Sequence, residues 1–77
     1  MKEAVEMIVK ALVNEPEAVE VREVESERGA VMIEVRVAQT DVGKVIGRQG
    51  STIRALRSVL HAAGLKRNQR FVLDILE

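Results

Sequence analysis

The chain has no cysteine, no tryptophan and no tyrosine, and only one phenylalanine, one histidine and one proline in 77 residues. Without cysteine there is neither a disulfide nor a thiolate metal site. A lone His61 cannot supply the clustered ligands of a structural zinc site. No apolar run approaches the roughly 20 residues that a bilayer-spanning helix needs. The first residues, Met1 to Glu6, carry acid where a secretory signal has a basic region. These absences predict a soluble, unexported, cytoplasmic protein that uses no metal, no cofactor and no membrane. They also starve an enzyme of material. There is no thiol nucleophile, and the few Ser and Thr have no His/Asp pattern beside them. No glycine is followed by Lys and Ser/Thr as a nucleotide-binding P-loop requires, so no small-molecule substrate is expected.

What the chain does have is aliphatic. Its hydrophobic fraction is 47%, supplied almost wholly by Val, Ile, Leu and Ala. That supports one small core and a single domain over residues 1–77. The net charge of zero conceals a division. Residues 1–40 hold nine Glu against five Lys or Arg, whereas residues 41–70 hold seven Lys or Arg against one Asp. A basic middle on an acidic scaffold suits a polyanion. The same charges would also serve as solvated faces of a charge-rich small protein.

Periodicity orders the elements. Residues 1–13 predict an amphipathic helix with Ala4, Val5, Ile8, Val9 and Leu12 on one side. Glu6 and Lys10 form an i,i+4 pair on it, and Asn14-Glu15-Pro16 ends it. Residues 18–26 alternate as a strand until the phase slips at Glu23-Val24, which predicts a bulge or the strand end there. Residues 26–29 read as a turn. Residues 30–38 predict a stronger strand with Val31, Ile33, Val35 and Val37 on one face. A short helix over 41–46 would open on Thr40 or Asp41 as a cap. After Gly47–Gly50, Ser51 or Thr52 would cap a helix bearing Ile53, Leu56, Val59, Leu60 and Ala63 on one side and stopping at Gly64. Residues 65–69 read as a polar connection. Phe71, Leu73 and Ile75 alternate in a last strand, apolar enough to lie centrally or against a partner. The fold class is therefore α+β: a three-stranded sheet with helices on one face, in the order α-β-β-α-α-β. The second and third strands could pair in parallel or have the first between them.

The chemistry gathers at Gly47-Arg48-Gln49-Gly50. Glycines permit positive φ and let a ligand's backbone approach the main chain. The start of a helix offers unpaired N–H groups and partial positive charge to an anion. Arg48 and Gln49 can donate to phosphate oxygens, and Lys44, Arg54 and Arg57 extend the basic surface. Arg54, Arg57 and His61 share one side of the helix, His61 reading as an ordinary exposed polar residue. Bases would meet Val42, Val45, Ile46 and Ile53. These four also fit a core; Ile46 and Ile53 lean that way, and Val42 and Val45 stay open. With Ser51 at the helix start, the candidate site is Gly47, Arg48, Gln49, Gly50, Lys44, Val45, Ile46, Ser51, Ile53, Arg54 and Arg57.

The string Val45-Ile46-Gly47-Arg48-Gln49-Gly50-Ser51-Thr52-Ile53, followed by Leu56 and Arg57, resembles the KH domain. The G-x-x-G loop of that domain clamps about four nucleotides of single-stranded nucleic acid. Two strands before the loop and one after it match the type II order, and a lone domain of this size is similar to the small bacterial KhpA family. The resemblance implies that Gly47, Arg48, Gln49 and Gly50 hold the sugar-phosphate backbone, with an aliphatic base groove beside them. It implies single-stranded RNA as partner, a role in RNA metabolism, translation or chaperoning, and association with a second KH protein. Near-absence of aromatics fits, because RRM and OB-fold proteins stack bases on aromatic rings. The rival reading is a protein-interaction module, a homodimer or a heterodimer with another KH protein, in which RNA binding is secondary.

Overall fold

Val5 and Val9 lie one helical turn apart, and both turn inward from the helix α1, Lys2–Leu12. A computed structural model describes residues 1–26 and 28–76. After α1 come a 3-10 turn at Pro16–Ala18, the strands β1 (Glu20–Glu25) and β2 (Ala30–Arg36), a second 3-10 turn at Gln39–Asp41 and the helix α2 (Val42–Ile46). A third 3-10 turn at Arg48–Gly50 leads into α3 (Ser51–Arg67), and β3 (Arg70–Leu76) follows. The α+β class and the α-β-β-α-α-β order are as the sequence predicts. On α1 the Glu6–Lys10 ion pair forms at 3.0 Å. Ala4 and Leu12, predicted on its packed side, are exposed.

The sheet order is β1-β2-β3. β1 runs antiparallel to β2 from Glu20↔Arg36 to Glu25↔Val31, and β2 runs parallel to β3 from Ala30↔Arg70 to Arg36↔Leu76. Of the two strand arrangements left open, the parallel pairing is therefore the one adopted, with α2 and α3 as its crossover. The last strand is an edge, not the centre: β2 takes the centre because it alone pairs on both sides. Val31, Ile33 and Val35 of β2 are buried beneath the helices with Val21 of β1 and Leu73 of β3. Each such side chain contributes about 1.5–3 kcal/mol by leaving water.

Of the two alternatives at the phase slip in β1, there is no bulge, and the strand end falls just beyond it at Glu25. The β1–β2 register is unbroken through Glu23↔Ile33 and Val24↔Met32. Glu23 keeps the helix-facing position because its carboxylate accepts the Lys2 N–H at 2.7 Å, at the start of α1. Val24 takes the open face beside Met32, and the two are 40% and 37% exposed. The hairpin turn closes through Gly29 N–H to the Ser26 carbonyl at 3.1 Å and Ala30 N–H to Ser26 Oγ at 3.2 Å. Its Glu27 lies outside the described residues.

α3 does not stop at Gly64, and residues 65–67 are helix rather than connection. The left-handed residue is Asn68, φ 54°, whose N–H reaches the Gly64 and Leu65 carbonyls. Gly64 has a packing reason instead. A Cβ there would collide with the Gln69 carbonyl as the chain turns back into β3. Val59, predicted on the packed side, is 56% exposed; Leu56 and Leu60 carry the packing. Among the described residues no helix is long and apolar enough to cross a membrane.

Candidate nucleic-acid interface

A helix as short as the five-residue α2 cannot hold itself together in water. It is pinned by two inward side chains one turn apart, Asp41 at 1% exposure and Val45 at 0%. Neither Thr40 nor Asp41 provides the predicted side-chain cap. Asp41 instead accepts the Asn14 N–H at 3.2 Å and the Glu15 N–H at 3.0 Å, and Lys44 Nζ stands 3.8 Å from its Oδ1.

The loop follows at once. Gly47 has φ 78° and donates its N–H to the Gly43 carbonyl at 2.8 Å. A Cβ on Gly47 would collide with the Thr52 side chain and its backbone. Gln49 stands at φ 54° and Gly50 at φ 75°, so the turn reverses through two successive left-handed residues. A non-glycine residue there costs about 1–2 kcal/mol, which marks Gln49 as held by its surroundings. Arg54 does part of the holding: its Nη2 donates to the Gln49 carbonyl at 3.1 Å. Gly50 occupies the N-cap of α3, and neither Ser51 nor Thr52 caps it by a side chain as expected. The Gly50 N–H donates to the Gly47 carbonyl at 3.1 Å and the Ser51 N–H to the Arg48 carbonyl, so the loop folds back on itself at the start of a 17-residue helix that no side chain caps. That helix brings the positive end of its dipole to the same place. Arg48 and Gln49 project there in the open. Among the described residues no carboxylate pairs with Arg48, Arg54 or Arg57.

Farther along α3, away from the loop, a groove of about 470 Å³ opens between the helix and β3. Arg57, His61 and Leu65, at i, i+4 and i+8, form one wall, and Arg70, Phe71 and Leu73 of the edge strand form the other. The loop thus brings cations to the start of the helix, and the groove is a mixed apolar and basic trench.

The chain matches the family model described as KhpA/KhpB, KH domain, over residues 2–75. The chain belongs to that family. An RNA-binding protein KhpA of Clostridium perfringens is 46% identical over 76 residues, covering 99% of this chain and 100% of that protein. One of Aquifex aeolicus is 48% identical over 77 residues, covering 100% and 96%. One of Halalkalibacterium halodurans is 47% identical over 77 residues, covering each chain completely. No solved structure gives a significant match.

In this KH domain the apolar residues expected around the loop are redistributed. Val45 is fully buried, so its side chain belongs to the core and not to a groove. Ile46, which leaned to the core, is 37% exposed. The cause is helical: Asp41 and Val45 fix the inward side of α2, and the next residue is turned about 100° away from it. Val42 and Ile53 are half-buried at the core's margin. Gly47, Arg48, Gln49, Gly50, Ser51 and Arg54 come together around the loop, Lys44 turns its ammonium to Asp41, and Arg57 lies apart in the groove. Sequence reading missed His61 and Phe71 as groove residues. The i, i+4, i+8 series Arg57-His61-Leu65 was a usable signal. The edge position of Phe71 was not readable from the last strand alone.

Proposed function

We propose that this protein binds single-stranded RNA as one domain over residues 1–77. The Gly47–Gly50 loop and the first turn of α3 take the sugar-phosphate backbone. Bases lie in the α3–β3 groove against Arg57, His61 and Phe71. The observation that carries this reading is the loop between two positive-φ glycines at the start of α3, which no side chain caps, with the exposed Arg48 and Gln49 between them. The relatives, each named RNA-binding protein KhpA, point the same way. The partner class fits a cytoplasmic role in RNA metabolism, translation or chaperoning.

The test replaces Arg48 and Gln49 together by Asp. Asp tolerates the left-handed position better than most residues, so the fold survives while two donors become two anions. Anisotropy with labelled single-stranded RNA then shows affinity falling about a hundredfold, the effect of losing two charge-assisted contacts, with an unchanged circular dichroism spectrum. A folded variant that binds like the parent would sink the loop reading. A second reading, association with a like chain or another KH protein, rests on Val59 and Leu65, which are 56% and 72% exposed on α3. A parent that sediments as a tight dimer yet binds no RNA favours that one.

A further inference from the structure

Asp41 is the buried charged side chain among the described residues, at 1% exposure. Burying a carboxylate is unfavourable unless both oxygens are hydrogen-bonded, and here both are. Its donors do not belong to its own helix. They are the backbone N–H groups of Asn14 and Glu15, 27 and 26 positions earlier in the chain. An Asp at a helix start ordinarily accepts from the second or third N–H of that helix; this one makes no such bond. Its carboxylate is committed to joining the end of α1 to the beginning of α2.

The consequence reaches the loop because so little chain intervenes. α2 has two inward anchors, Asp41 and Val45. A valine packs without directional preference, whereas two hydrogen bonds fix an orientation. Gly47 follows α2 directly and is tied back to Gly43. Lys44, one turn on, faces the same carboxylate at 3.8 Å. The geometry points to Asp41 as a positioning residue for the RNA grip: its carboxylate aims α2, and through it Gly47–Gly50 and Lys44, without touching RNA. This rests on the RNA reading above.

Asp41→Asn tests it. The substitution is nearly isosteric, keeps one acceptor and turns an amide NH₂ toward the other N–H, so one bond is lost and Lys44 loses its counter-charge. Two quantities are read: the Kd for a short fluorescein-labelled single-stranded RNA, and the ¹H–¹⁵N amide positions of Gly47 and Gly50 without RNA. Val21→Ala, a core truncation in β1, is the control for general destabilisation. The expected result is a Kd raised about tenfold, the scale of one hydrogen bond to a charged group, with both glycine amides displaced. Val21→Ala leaves the Kd of the folded protein and both amides as in the parent. Parental Kd in folded Asp41→Asn overturns the proposal whether or not the amides move, and so does an equal loss in Val21→Ala. If Asp41→Asn unfolds in buffer, the pair of measurements is made in trimethylamine N-oxide, which favours compact states. Failure to fold there as well would make Asp41 a determinant of the whole fold and overturn the local role. If the parent binds no RNA, the RNA reading has failed, and the glycine amides alone decide whether Asp41 aims the loop.

Discussion

Gly47 satisfies two demands that no other residue type meets together. Its φ of 78° is unfavourable for a side chain, and the space a Cβ would fill is occupied by Thr52. Gly47→Ala should therefore cost about 2–4 kcal/mol, strain and overpacking combined. It should also weaken RNA binding in whatever fraction stays folded. Thermal melts and anisotropy on the same sample check this, and an Ala variant that melts and binds like the parent would contradict the close approach. Gln49 is the complementary case. It accepts a left-handed backbone without being glycine, and Arg54 steadies it through its carbonyl. The arginine that sequence reasoning assigned to phosphate thus has a prior engagement with the loop itself.

At the scale of elements, α3 and its return to β3 depend on Gly64. An alanine there would meet the Gln69 carbonyl and the Phe71 ring. Gly64→Ala should lower stability by about 1–3 kcal/mol despite alanine's better helix propensity. Urea unfolding measures it, and a more stable variant would show that propensity outweighs the clash. The same glycine shows what was legible in the sequence. Its presence near the end of a helical pattern was read correctly as meaningful and incorrectly as a stop. Close approach and a left-handed turn leave the same residue in the sequence, and only the position of Gln69 separates them. Alternation in β2 was fully legible because both flanking strands pair in register and one face is covered. The alternation in β1 breaks at Glu23, close to the strand end at Glu25, because its inward position faces an N–H of α1 instead of a methyl group. The G-x-x-G loop was legible through its glycines. The burial of Val45 was not, since it depends on which side of a five-residue helix is turned to the core.

Over the whole molecule, acidic and basic halves cancel, so long-range attraction of RNA must come from the local cluster and not from net charge. Binding should weaken steeply with salt. If Lys44, Arg48 and Arg54 all neutralise phosphates, the log–log slope approaches about −2 for a single strand. Arg48→Ala should make it shallower by about 0.7. A slope that ignores the substitution would remove Arg48 from the backbone contact. The last consequence belongs to α3, which joins the loop at one end to the groove at the other. At a rise of 1.5 Å per residue, His61 stands ~16 Å along the axis from Gly50. That interval is a rigid ruler. On the proposed binding mode, the number of nucleotides between a phosphate at the loop and a base beside His61 would be set by the helix and would not slide with a flexible linker. Inserting one residue between Arg54 and Arg57 would swing the groove wall about 100° away from β3 and leave the molecule able to hold a strand but unable to keep its place on it.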